Sequence, residues 1–118
     1  MATSLREPVS RSRALQDTVS WLPTGTGVLQ TLESTDEGHR GLTVTAMGSA
    51  SVEQLGEALG QHLRRRGWQP RQERVTSSNG RQALQISAQG RGEDVLVVIA
   101  DQGEQRSVVI QRNKEARP

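Results

Sequence analysis

The sequence predicts an α+β domain, in which an antiparallel β-sheet carries one amphipathic helix packed on one face. The segment 51–66 has apolar residues at spacings of three or four, the period of a helix with one buried side. Six other segments alternate apolar with polar residues or form short apolar runs, and turns that contain glycine separate most of them. These patterns predict the order β-β-α-β-β-β-β within one domain, the size that 118 residues allow. The alternative is a split arrangement in which the first hairpin packs elsewhere.

The chain begins with a polar segment, residues 1–22, which is predicted to be either a flexible leader or a short helix outside the core. Leu15 and Val19 are four residues apart, which suits one or two helical turns ahead of Trp21. Residues 23–113 then form the single α+β domain, and residues 114–118 form a charged tail.

The first two strands are predicted at 27–34 and 40–47, where they form a hairpin. In the second of them Leu42, Val44 and Ala46 alternate with threonines, which is the pattern of a strand with one buried face.

The helix has clear signals at its start and along its length. Ser51 suits the N-cap, and Gln54 three residues later completes a capping-box pattern. Gly56 and Gly60 each weaken a helix interior, so their spacing of four predicts a flat strip where the helix backbone lies close to the sheet. The apolar stripe consists of Val52, Leu55, Leu59 and Leu63.

The end of the helix has two interpretations. Gly67 is placed to take the left-handed conformation that follows a helix, so that Trp68 contacts Leu63 in a Schellman motif, while the three arginines at 64–66 favour the negative end of the helix dipole. Alternatively, this basic stretch with its tryptophan is a surface for nucleic acid or an acidic partner.

Four further strands are predicted at 68–75, 81–89, 93–101 and 106–112. The pair Asn79-Gly80 is a strong hairpin signal between the first two of these. The strand at 93–101 is apolar on both faces, and one helix covers only one face of a sheet. The second face therefore needs another cover, either the segment 5–22 or a partner chain.

Few residues suggest chemistry. There is no cysteine, and the only two histidines, His39 and His62, are far apart in the sequence, so no metal ligand set is predicted. The carboxylate pairs Asp36-Glu37 and Glu93-Asp94 are typical of solvated turns. No motif of a nucleotide-binding loop or a nucleophile is present. We therefore expect no catalytic residue, no cofactor, no metal and no small-molecule substrate; the protein is predicted not to be an enzyme.

The high isoelectric point, near 10.4, does not by itself indicate nucleic acid. The formal net charge is only +2, and the value is high because no Tyr or Cys titrates in the alkaline range. A sheet that binds RNA also needs exposed aromatic side chains, and the chain has neither Phe nor Tyr. A small arginine-rich nucleic-acid-binding or regulatory domain is therefore the alternative function and not the favoured one.

The favoured function is a non-catalytic binding or assembly module that acts through protein–protein contacts, with a homodimer as one form of that contact. Over residues 27–112 the predicted topology resembles small helix-on-sheet modules of bacterial envelope lipoproteins and of pilus or secretion assemblies. No motif accompanies the resemblance, so no site residue is transferred from it. The candidate interaction surface consists of Arg64, Arg65, Arg66, Arg71, Arg74, Trp21 and Val109.

A polar, proline-containing segment at 1–25 ahead of a compact domain is what remains when an anchor is cut away, so we expect a periplasmic location over a cytoplasmic one, with the chain as the soluble part of an exported or anchored protein. No run approaches the roughly 18 apolar residues of a membrane-spanning helix, so no membrane span is expected.

Overall fold

In a computed structural model the protein is described over residues 12–36, 38–76, 80–90 and 92–115. These residues form an α+β domain with two helices and six strands. The elements are α1 Arg13–Val19, β1 Thr26–Asp36, β2 His39–Gly48, α2 Val52–Arg65, β3 Arg71–Thr76, β4 Gln82–Gly90, β5 Glu93–Asp101 and β6 Arg106–Glu115. The predicted order is confirmed from β1 to β6, with α1 preceding it. Neither helix is long and apolar enough to span a membrane.

The six strands form one antiparallel sheet in the order β1-β2-β6-β5-β4-β3. The last strand lies in the middle, where Ile110 is opposite Val44 on β2 and Val97 on β5. This placement joins the first hairpin to the other strands, and the split arrangement is therefore wrong. It also extends β6 to Glu115, beyond the predicted strand end at 112 and into the predicted tail.

One face of the sheet, called here the inner face, contains the core. Residues directly opposite each other in neighbouring strands share a face, and the register places all the buried strand residues on the same one. Besides Gly48, they are Leu42, Val44, Ala46, Leu84, Ile86, Ala88, Val95, Val97, Ile99, Val108 and Ile110.

Both helices pack on the inner face. The longer helix α2 contacts β4 and β5, and the shorter α1 contacts β1 and β2. Leu15 and Trp21 are 4% and 3% exposed, so the segment around α1 is part of the core and not a leader outside it. The prediction of one helix on this face is corrected to two, because the sheet is wider than α2 alone can cover.

The opposite face, called here the outer face, is covered by neither helix. The second apolar row of β5, Leu96 and Val98, lies on it, half-buried by the neighbouring strands. Residues 12–22 lie against the inner face and so do not supply the predicted cover; residues 5–11 are outside the described residues.

The two ends of α2 form as the sequence predicts. Ser51 Oγ accepts a hydrogen bond from the backbone N–H of Gln54 at 3.1 Å, and the Gln54 side chain accepts one from the N–H of Ser51 at 3.1 Å. At the other end Gly67 has φ 94°, and the N–H of Trp68 donates to the carbonyl of Leu63 at 3.0 Å, the Schellman bond. Trp68 is thereby turned back into the core, where it is 8% exposed. Asn79, which the sequence predicts with Gly80 to form the hairpin turn between β3 and β4, lies outside the described residues.

Gly56 is the point of closest approach between α2 and the sheet. A Cβ atom at this position would lie 2.3 Å from Cδ2 of the buried Leu84, a distance that real contacts do not reach. At Gly60 the nearest atom to such a Cβ would be Nε2 of Gln72 at 3.0 Å, the end of an exposed, flexible side chain. The predicted close approach is therefore confirmed at Gly56, while Gly60 faces a neighbour that can move.

We predict opposite effects when each glycine is replaced by alanine. Gly56→Ala should lower the free energy of unfolding by about 1–3 kcal/mol, because overpacking against Leu84 outweighs the gain in helix propensity. Gly60→Ala should be neutral or should raise it by up to ~1 kcal/mol. Urea unfolding of both variants and the parent measures the difference. Equal stability of the two variants would contradict the close approach at Gly56.

Candidate functional site

Arg112 on β6 donates hydrogen bonds to three other side chains, those of Glu93, Asp17 and Thr18. Its guanidinium donates to both carboxylate oxygens of Glu93, with Nη2 to Oε1 at 3.0 Å, and Nη1 donates to Asp17 Oδ2 at 3.2 Å and to Thr18 Oγ1 at 2.9 Å. The side chains of Arg112 and Glu93 are each only 11% exposed. The expectation that Glu93 is a solvated turn charge is therefore wrong, because its carboxylate pairs with an arginine on the neighbouring strand.

Asp17 connects this group to the end of α2. Its carboxylate accepts from Arg112 and also from Arg66, at 2.9 Å from Nη1 and 2.6 Å from Nη2. One carboxylate on α1 is thus shared by an arginine from the sheet and an arginine from α2. These four residues are called here the Arg112 cluster: Asp17, Arg66, Glu93 and Arg112.

Two tryptophans and a histidine pack beside the Arg112 cluster. The Arg112 guanidinium carbon lies 4.8 Å from the ring centre of Trp21 and 5.7 Å from that of Trp68, within the range of cation–π attraction. The ring of Trp21 also contacts the ring of Trp68 edge-on, with 5.7 Å between the ring centres, and its centre lies 5.6 Å from that of the His62 ring. The cluster is therefore the joint at which α1, α2 and the sheet meet.

The residues of the predicted interaction surface do not form one surface. The prediction that Trp21 is part of this surface is wrong, because its side chain is buried in the core. Arg66 is paired with Asp17, and Arg74 with Glu53 at 3.3 Å. Arg64 and Arg65 are exposed on α2, and Arg71 is exposed on β3. Val109 lies on the outer face instead, because it is opposite Val98 and Thr45.

The arginines near the end of α2 are interspersed with acidic residues. The groove between α2 and β3 is lined by the side chains of Glu53, Glu57, Arg64 and Arg74, with Gln72 and Leu84. Alternating charges give no surface of a single sign, which phosphate recognition requires.

The centre of the outer face is uncharged. Val98 and Val109 are directly opposite each other, with Leu96 adjacent to Val98 on the same face. Thr43, Thr45, Gln85, Ser87 and Gln111 surround them by the same register. The charged residues that the register places on this face, among those described, lie at its margins: Arg71 and Glu73 on β3, Asp94 at the start of β5, Asp36 at the end of β1 and Glu115 at the end of β6. The sequence alone indicates Val109 but not its neighbours on this face. Which residues of different strands lie side by side depends on the strand order and register, and neither can be read from the sequence.

No group of three or more metal-ligating side chains occurs among the residues that the structure describes. Comparisons of the chain with protein-family models, with curated proteins and with solved structures find no match.

We predict that Arg112→Met lowers the free energy of unfolding by about 3–5 kcal/mol, because it leaves the carboxylate of Glu93 nearly buried and without its partner. Arg74→Met is the matched control. It breaks an ion pair whose side chains are 64% and 65% exposed, and such pairs contribute about 0–1 kcal/mol. Chemical denaturation followed by tryptophan fluorescence measures both. Similar losses in the two variants would contradict the importance assigned to Arg112.

His62 gives the protein a predicted dependence on pH. Partial burial, and then the charges of Arg66 and Arg65, lower the pKa of His62 below its ordinary value of 6.5, while Asp17 opposes them. The unfolded chain therefore binds a proton at His62 more readily than the folded protein, and stability falls as the pH drops through about 6.5.

Thermal melts of the parent and of His62→Gln, compared at about pH 7.5 and about pH 5.5, test this dependence. The melting temperature of the parent should fall more over this interval than that of the variant. An equal fall in both proteins would show that the protonation of His62 is not coupled to folding.

Proposed function

We propose that the protein is a non-catalytic assembly module that binds a protein partner through the outer face of its sheet. The observation that carries this proposal is the uncharged, half-apolar centre formed by Val98, Val109 and Leu96, with charged residues only at the margins. Interfaces between proteins have this distribution: charged residues are depleted at the centre and polar residues form the rim.

The fold supports the proposal in a second way. Both helices lie on the inner face, so the described chain supplies no layer for the outer face. A sheet normally buries an apolar face against another layer, and apolar surface left open is characteristic of an interaction site. The partner that fits this face has a flat and largely uncharged surface of its own. The periplasmic or secretion-assembly setting stays a prediction from the sequence.

A photo-crosslinking amino acid placed at position 109 tests the proposal, and the same group at Gln61 is the matched control. Gln61 is exposed on α2, on the opposite side of the sheet. Crosslinked partners should form from position 109 and not from position 61. An excess of the parent protein without the photo-crosslinking amino acid should compete for the partner and suppress these crosslinked products. The Val109→Lys variant without that amino acid should not suppress them, because a buried lysine at the centre of the interface opposes binding.

Gln61→Lys is the competitor with the same change of charge, and it should suppress the products as well as the parent does. Identical products from positions 61 and 109, or full competition by Val109→Lys, would overturn the proposal.

A further inference from the structure

The two edges of the sheet differ in how they are protected. The edge strand β3 is six residues long, follows Pro70 and contains Arg71, Glu73 and Arg74, all of them features that discourage pairing with another strand. The other edge strand, β1, has 11 residues and no proline or lysine. Its only charged residues are Glu33 and Asp36, both in its second half.

The exposed apolar side chains are concentrated on β1. Among the described residues, three large apolar side chains are exposed: Leu29 at 65%, Leu32 at 58% and Val75 at 42%. The first two lie on β1 and the third on β3. A β-bulge between Val28 and Gln30 interrupts the pairing of β1 with β2, but the register is continuous from Gln30 to Asp36. No strand among the described residues pairs with the outward edge of β1, which also has two exposed leucines.

We infer that β1 pairs with β1 of a second copy of the chain, antiparallel, to form a symmetric dimer with a continuous twelve-stranded sheet. Full overlap of Thr26–Asp36 with its own copy places the two-fold axis at Thr31. Leu32 of one copy then lies opposite Gln30 of the other and diagonal to Leu32 of the other, within the range of side-chain contact. The dimer contact is made by the backbone edge of β1 and not by the centre of the outer face, so the inference goes beyond the proposed function, although the Leu32 side chain lies at the margin of that face opposite Thr43.

The charges of β1 favour this antiparallel arrangement over any in which like residues align. With the axis at Thr31, the two Glu33 side chains are four residues apart along the strands, or about 14 Å. That separation exceeds the screening length of about 8 Å at physiological ionic strength. Aligned strands would instead place Glu33 beside Glu33 at about 4.8 Å, where like charges repel. With the axis at Thr31, Glu33 of one copy lies opposite Leu29 of the other and Asp36 lies opposite Thr26, so no acidic residue of β1 faces a like charge.

Analytical ultracentrifugation of the full chain over a wide concentration range tests the inference with three variants. The double variant Leu29→Lys/Leu32→Lys adds charge to β1, and Val75→Lys makes the same kind of change on β3. In a symmetric dimer each substitution occurs twice, so the β1 variant should dissociate at least about tenfold more readily than the parent. The β3 variant should dimerise as the parent does. Leu29, Leu32 and Val75 are exposed and Val109 is half-buried, so thermal melts check that each variant folds.

A monomeric parent, or a β1 variant that dimerises as tightly as the parent, would overturn the inference. Val109→Lys, the third variant, distinguishes the edge from the outer face. If it abolishes dimerisation while the β1 variant keeps it, the dimer forms through the outer face; the inference then fails and the proposed function stands.

Amide hydrogen exchange gives an independent measurement. The outward amides of β1 should become protected only as concentration rises, and protection at the lowest concentration would mean that the chain's own residues cover this edge.

Discussion

The attachment of α1 to the rest of the molecule depends on the guanidinium of Arg112. A helix of seven residues is too short to be stable alone, so tertiary contacts must hold it in place. A charge as little exposed as that of Arg112 in turn needs opposite charges around it. Asp17 and Glu93 meet this need from α1 and from β5, and Asp17 also holds Arg66 at the end of α2. One set of charges thus fixes the relative positions of both helices and the sheet.

The packing of the inner face follows from this joint. On the inner face, the longer helix α2 covers β4 and β5, and α1 covers β1 and β2. Trp21 and Trp68 fill the space between the two helices. Two large aromatic side chains at this point compensate for a chain that has no Phe or Tyr and relies elsewhere on Leu, Val, Ile and Ala. Because every helical residue described lies on this side, the molecule has one closed face and one open face, and the open face and the β1 edge are where binding is proposed.

Local features of the fold could be predicted, and long-range features could not. The capping box at Ser51 and the Schellman motif at Gly67 depend on residues three to five positions apart, so the sequence displays them directly. Arg112 is 19 positions from Glu93 and 95 from Asp17, and no local pattern connects them. For the same reason the sequence predicts a surface position for Trp21: its burial depends on the docking of α1, and Pro23, Gly25 and Gly27, which are typical of a loop, follow it. Among candidate binding residues, Val109 could be selected, but the uncharged surface around it appears only when β6 is placed between β2 and β5.

The edge-on contact between Trp21 and Trp68 also has an optical consequence. The centres of the two indole rings are 5.7 Å apart and their planes are inclined at 66°, close enough for their electronic transitions to couple, so we expect paired circular-dichroism bands of opposite sign in the far ultraviolet. These bands overlap the region from which helix content is read, so the spectrum of this protein does not report its backbone alone. Because one indole follows α1 and the other follows α2, the bands exist only while the two helices are joined. The signal therefore distinguishes a chain that has kept its secondary structure from one that has also kept its tertiary packing.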